Sequence, residues 1–515
     1  MKTLRSNQNN KYPFGLAIAA WLFFGLSLQG IAVAAQRPNF LFILTDDQSP
    51  YTLKAYGNTE CQTPNIDRIA SEGMVLHDAH HMGSWSGAVC RPSRTMIMTG
   101  RSVWRIPGNN NQTPSGLKDP IAQQALVEYV AARSMPALFK SAGYITFRTC
   151  KRGNTFPPAS QLFDVLHEKD MREGNDEHGS KWHGDRAMDF LEERQTSESR
   201  QPFLMFLGFS HPHDPRNGKP EYLAKYGAQN VTEPPQSVNP LAPKLQINYL
   251  PEHPFHHGHP GLRDETKVSG VLTSRTEATI RNELGREYAC IENIDAQVGR
   301  VLDKLQELGE LENTYVFYTA DHGIAVGRHG LTGKQNLYEH TWRVPMLVKG
   351  PGIQAGSEGS GFVYLMDVLP TMLDFAGISR PDGMDGISFR PVLEGKLPRI
   401  RDVLYGVYCG GTKPGMRSVK TADGWKLIKY DVMDGQVRQS QLFNLNVNPH
   451  ELLPEHRSAD VIRLTGNSPG QDQINLAGMN ESRQKQEELE RLLLALQVQY
   501  GDPYRLWDQP AIEAK

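Results

Sequence analysis

At 515 residues, with 22% charged residues and a net charge of −2, the chain has room for one large α/β domain plus a smaller one. It lacks the basic footprint that a nucleic-acid partner requires. Its five cysteines (Cys61, Cys90, Cys150, Cys290 and Cys409) are odd in number, widely spread and without a CxxC pair, which argues against a disulfide scaffold, a thiolate zinc site or a redox pair.

The N-terminus sets Lys2, Arg5 and Lys11 before the apolar run "FGLAIAAWLFFGLSL" and small residues at Ala32 and Ala34. This pattern predicts a cleavable signal peptide over residues 1–35, so an exported protein, periplasmic or secreted, with no membrane span after cleavage. An uncleaved anchor is the alternative, because Phe14 to Ala35 is nearly long enough to span a bilayer.

"RPNFLFILTDDQ" then gives an apolar run ending in two carboxylates. A continuous run of this kind predicts a strand buried on both faces. Similar runs follow at "YITFRT" (144–149), "FLMFLGFSH" (203–211), "TYVFYTADHG" (314–323) and "PMLVKG" (345–350). Between them Leu284, Tyr288, Ile291, Val298, Val301, Leu305 and Leu308 recur at helical spacing before Gly309. Alternating strands and helices predict a large, mostly parallel sheet between helices, spanning 36–395, with its site at the carboxyl ends of the strands. Residues 217–270, rich in Pro, Asn and His, read as a long loop. After residue 395, "VLYGVY", "MRSVKT", "WKLIKY" and "QLFNLN" predict a small antiparallel sheet closed by the helix "RQKQEELERLLLALQVQY", a subdomain over 396–515.

Asp46, Asp47, Asp321 and His322 end two of these strands. Clustered carboxylates repel unless a cation sits among them, and hard oxygens favour Ca²⁺ or Mg²⁺, although an imidazole also suits transition metals. Helix capping is the plainer explanation of each pair alone. The remaining unusual feature is "CRPSRTMIMTG" at Cys90, a lone cysteine in a chain read as exported.

The pattern Cys90-x-Pro92-Ser93-Arg94-x-x-x-x-Thr99-Gly100 resembles the signature of the type I sulfatases, of the alkaline phosphatase-like superfamily, in which this cysteine becomes Cα-formylglycine. The resemblance continues through "TPNIDRIASEGM", "TADHG", "GKQNLYEHTWRVPMLVKGPGI", "DVLPTMLDFAGI" and "LFNLNVNPHE", nearly the whole mature chain. It implies Asp46, Asp47, Asp321 and His322 as metal ligands together with the modified residue 90, the metal being Ca²⁺ with Mg²⁺ or another divalent ion as the alternative. Arg94 is implied to brace the formylglycine, and Lys151, His213 and Lys334 to contact sulfate and leaving group. A maturating enzyme acting on Cys90 is implied as a partner.

The family more often has Asn at the position of His322. It usually has Gly-Lys-Trp-His where this chain reads Cys150-Lys151-Arg152-Gly153, so the histidine position is Gly153. "KWHG" at 181–184 reads as coincidence, because it leads into a helix instead of following a buried strand. The resemblance implies hydrolysis of sulfate monoesters, expected on a carbohydrate. One hydroxyl of the aldehyde hydrate attacks sulfur, the other expels sulfate, and His213 or Lys334 protonates the departing alcohol. A phosphomonoester or phosphonate hydrolase, and a non-catalytic binder of sulfated glycans, are the alternatives. Three features stay open. The four histidines of "EHPFHHGHP" (252–260) read as a solvated loop; His77, His80 and His81 as surface or near-site groups; Trp85, Trp104 and Trp342 as core residues in preference to a sugar platform.

Overall fold

The computed structural model describes residues 37–107, 119–196, 201–256, 270–410 and 414–512. The signal-peptide reading of 1–35, and His257 and His259 of the histidine tract, lie outside them. Arg37 to Lys515 form one compact unit.

Eight strands make the main sheet: β1 Asn39–Thr45, β2 Met74–Leu76, β3 Ile145–Cys150, β4 Val165–Glu168, β5 Phe203–Gly208, β6 Thr314–Ala320, β7 Met346–Lys349 and β8 Ser357–Gly359. Their order across the sheet is β8-β2-β7-β6-β1-β5-β3-β4. From β6 through β1, β5 and β3 to β4 all pairings are parallel. β7 runs antiparallel to both β6 and β2, unlike the parallel strand its apolar run suggests. A parallel neighbour needs a crossover long enough to carry the chain back along the sheet, usually a helix. The chain instead reaches β7 from the loop after β6, with only the short Glu339–Trp342 helix and the two-residue strand Arg343–Val344 between.

Alternate residues of β1 serve the two faces. Phe40, Phe42 and Leu44 pack with Val368, Leu369, Met372 and Leu373 of the Val368–Ala376 helix. Leu41 and Ile43 pack with Phe190 and Leu191 of the Ser180–Thr196 helix and with Ile291, Ile294 and Val298 of the Glu277–Glu307 helix. Complete burial contributes roughly 1.5–3 kcal/mol for each such large side chain, which explains why the strand is apolar without interruption. The 31-residue helix predicted from Leu284 to Leu308 starts at Thr276, whose side chain accepts from Thr279 N, and stops before Gly309 at φ +69°.

The second sheet has Val403–Tyr408, Gly415–Thr421, Trp425–Val432 and Val437–Asn444 as successive antiparallel strands. Gly83–Ser84, from the segment leading to Cys90, joins its edge in parallel with Val407 and Tyr408. Leu489, Leu493 and Leu496 of the Arg483–Tyr500 helix belong to its core. Among its described residues the predicted loop excursion contains one short helix, Pro220–Lys225. Among the described residues no helix is long and apolar enough to cross a membrane.

Candidate active site

The parallel register aligns Thr45 with Ala320, so the residues that follow each strand, Asp46-Asp47 and Asp321-His322, emerge side by side. Asp47 turns out of the strand in the left-handed region at φ 65°. Its N–H donates to Asp321 Oδ1 at 3.2 Å, and Asp321 N–H donates to Thr45 O at 3.2 Å. Opposite them the Cys90–Thr99 helix begins with Cys90 itself, which is 1% exposed. A helix N-terminus carries partial positive charge, a suitable seat for an anionic group. Arg94 is one turn further on the same face.

Cys90 Sγ lies 3.1 Å from His322 Nε2, 3.7 Å from Lys334 Nζ and 3.9 Å from Asp47 Oδ1. Arg94 joins three strand ends: its Nε donates to Asp321 Oδ2 at 2.9 Å, its Nη2 is 3.2 Å from Asp46 Oδ1, and its Nη1 reaches Cys150 Sγ. Lys151, immediately after β3, pairs with Asp46. Lys334 donates to both Asp47 oxygens, at 3.0 and 2.7 Å, and its Nζ is 3.0 Å from His213 Nε2. His322 Nε2 is 3.1 Å from Asp47 Oδ1 and 3.5 Å from Asp321 Oδ1. All nine residues singled out in the sequence are therefore brought into one cluster. Eight of them are under 5% exposed, and the His213 side chain is 12% exposed.

The charges are strongly coupled. Burial by itself raises the Cys90 thiol, but Lys151, Lys334 and His322 outweigh it and hold the thiol well below its usual range. Burial, with Asp46 and Cys90 adding to it, pushes Asp321 up to about 7. Burial opposes charge on His322, yet Asp321 and Asp47 raise it to about 10. Both Asp46 oxygens are buried without a hydrogen bond, held only by the ion pairs with Arg94 and Lys151. Ligand atoms of Asp46, Asp47, Cys90 and His213, and of Asp46, Cys90, Asp321 and His322, fall within 4.8 Å of one another. This crowding of hard oxygens fits a divalent cation, with His322 as the one softer donor.

Sequence reasoning missed several supporting groups. Asp214 puts Oδ1 3.0 Å from His213 Nδ1, and Arg172 Nη1 is 3.2 Å from the same nitrogen. Asp214 adjoins His213 in "HPHDP", so that pairing had a local signal; Cys150 adjoins Lys151, though its contact with Arg94 comes from the fold, and Arg172 is united with the site only by the fold. His183 of "KWHG" does reach the strand ends, wholly buried, but its partners are Thr149 Oγ1 at 2.7 Å and Ser210 Oγ at 3.1 Å. Gly153 has φ +81° and open space where a Cβ would be. His80 and His81 are buried, the His81 ring centroid 6.2 Å from that of His322, while His77 pairs with Glu358. Trp85, Trp104 and Trp342 all lie in the core beneath the second sheet.

A mostly parallel sheet with a carboxylate cluster at its carboxyl end, facing a helix that begins with Cys90, defines a hydrolase of the alkaline phosphatase-like superfamily. A family model described as Sulfatase matches residues 38–378, and one described as N-sulphoglucosamine sulphohydrolase, C-terminal, matches 327–464. The chain belongs to the sulfatase family and is a sulfuric ester hydrolase. It is 26% identical to an N-acetylglucosamine-6-O-sulfatase of Bacteroides thetaiotaomicron, over 91% of this chain and 87% of that one. In fold it is similar to a solved structure described as a complex with its substrate D-glucosamine-2-N,6-O-disulfate (TM-score 0.66, 23% identity, 91% of this chain and 99% of that one). It is also similar to the phosphonate monoester hydrolase of Agrobacterium radiobacter (TM-score 0.63, 17% identity, 90% and 96%).

Proposed function

We propose that the protein removes sulfate from a sulfated hexosamine of a glycosaminoglycan-type carbohydrate. The observation that carries this reading is the convergence of three cations, Arg94, Lys151 and Lys334, with the ring of His322, around the buried Cys90. The names of the relatives, among them N-acetylglucosamine-6-sulfatases, support the carbohydrate. Formylglycine at position 90, formed by a maturating enzyme, would supply a hydroxyl nucleophile and a second hydroxyl that lets sulfate leave. Asp46, Asp47, Asp321 and His322 would hold a divalent metal, read as Ca²⁺, supplying further positive charge beside the sulfuryl oxygens.

The chain's own groups do the rest. Lys151 and Lys334 neutralise the sulfate so that a nucleophile can approach, a stabilisation that grows as charge builds on its oxygens. Arg94 holds Asp46 and Asp321 in place behind residue 90. His213, braced by Asp214 through Nδ1, presents Nε2 beside Lys334, where either group can protonate the departing alcohol. Residues 1–35 direct export to the periplasm or medium; 36–395 form the catalytic domain and 396–515 the smaller one. The test is kcat/KM for matched aryl sulfate and aryl phosphate esters, followed by 6-O-sulfated N-acetylglucosamine. Preference for sulfate with release from the sugar is expected; preference for the phosphate or phosphonate ester would overturn the assignment.

A further inference from the structure

The histidine of "KWHG" touches two of the strand ends that carry catalytic groups. His183, near the start of the Ser180–Thr196 helix, is wholly buried. Its Nδ1 lies 2.7 Å from Thr149 Oγ1 and its Nε2 3.1 Å from Ser210 Oγ. Thr149 is in β3, two residues before Lys151, and Ser210 follows β5, three residues before His213. Ser210 Oγ also accepts from Met171 N–H at 3.3 Å and donates to Lys169 O at 3.4 Å, which ties in the loop after β4, next to Arg172.

Counting protons sets the directions of these bonds. Ser210 has one hydroxyl proton, which goes to Lys169 O, so Ser210 Oγ accepts from His183 Nε2–H. Nδ1 is then the acceptor and takes the proton of the Thr149 hydroxyl, in keeping with the short contact there. Burial, with His211, Arg94 and Arg148 adding to it, holds the imidazole down to about 3, so the ring is neutral at pH 7, as this pattern requires. Both ring nitrogens are spent on strand ends, which leaves neither for substrate. Catalytic groups have to be held within about 0.5 Å of their working positions, and a misplacement of about 1 Å can cost about 10²-fold in rate.

We propose that His183 is a positioning residue for sulfate-ester hydrolysis: through Thr149 it fixes the strand end that aims Lys151, and through Ser210 the segment that aims His213 at the leaving group. The proposal rests on the roles given to Lys151 and His213 above. Its test compares kcat and KM of matured wild type, His183→Gln, Thr149→Val and Ser210→Ala on nitrophenyl sulfate and phenyl sulfate, with His213→Ala as the reference. Nitrophenolate leaves readily without a proton and phenolate does not, so a misplaced acid costs more on phenyl sulfate. Ser210→Ala should lower kcat about tenfold more on phenyl sulfate than on the nitrophenyl ester, the same direction as His213→Ala. Thr149→Val should lower kcat about tenfold on both esters, and His183→Gln should show both effects, with KM within about twofold of wild type throughout. The two smaller substitutions decide the matter if His183→Gln does not fold. Wild-type kcat on both esters in His183→Gln, or a differential present in His213→Ala and missing from Ser210→Ala, would overturn this proposal alone. No differential in His213→Ala would overturn the acid role of His213 and this proposal with it.

Discussion

Lys151 shows how a single side chain is committed at this site. It is 4% exposed, pairs with Asp46 and is the strongest of the cations that hold the Cys90 thiol low. A donor aimed at developing charge in a dry site contributes more to catalysis than to binding, so Lys151→Ala should lower kcat about 10²- to 10³-fold with a smaller change in KM. Steady-state kinetics on an aryl sulfate reads this directly; a change confined to KM would make Lys151 a binding group only. Most residue types at the site were legible in the sequence because they stand at the end of an apolar run or inside the Cys90 motif; Lys334, in "GKQNLYE", was legible only through the family resemblance. What was not legible is how they are braced: Arg94 against Cys150, and His213 against Arg172, depend on strand ends and loops distant in sequence.

Among the elements, the seam between the two sheets is the most exacting. Gly83–Ser84 pairs with the edge of the second sheet only because residue 83 has no side chain: at φ +108°, a Cβ there would lie 1.7 Å from Val407 O. Gly83→Ala should destabilise the protein by about 1–3 kcal/mol, seen as a lower urea midpoint. An unchanged midpoint would mean the seam gives way at little cost. This element escaped sequence reading, since two residues carry no periodicity. The apolar runs at 39–45, 203–208 and 314–320 and the helix at 277–307 were legible because continuous apolar runs and 3.6-residue spacing survive burial. The direction of β7 was not, because an apolar run looks the same whichever way its neighbours point.

Across the whole molecule, many histidines are buried uncharged. Burial pushes His183 down to about 3 and His80 and His211 to about 4, from an ordinary value of 6.5. Below 6.5 the unfolded chain takes up protons at these positions and the native protein does not. The stability they contribute is therefore present above that value and lost as pH falls toward 3–4. Urea midpoints should be steady near pH 7 and fall between pH 6.5 and 5, with net proton uptake on unfolding. A midpoint that rises as pH drops through that window would contradict the neutral assignment.

The central claim is that Cys90 is rebuilt into the nucleophile, and the mass of the peptide containing residue 90, taken from protein with measured sulfate-ester turnover, tests it most directly. The account predicts an aldehyde at position 90 in active protein, with turnover proportional to the fraction carrying it. Full turnover by protein whose residue 90 is an unmodified thiol would contradict it.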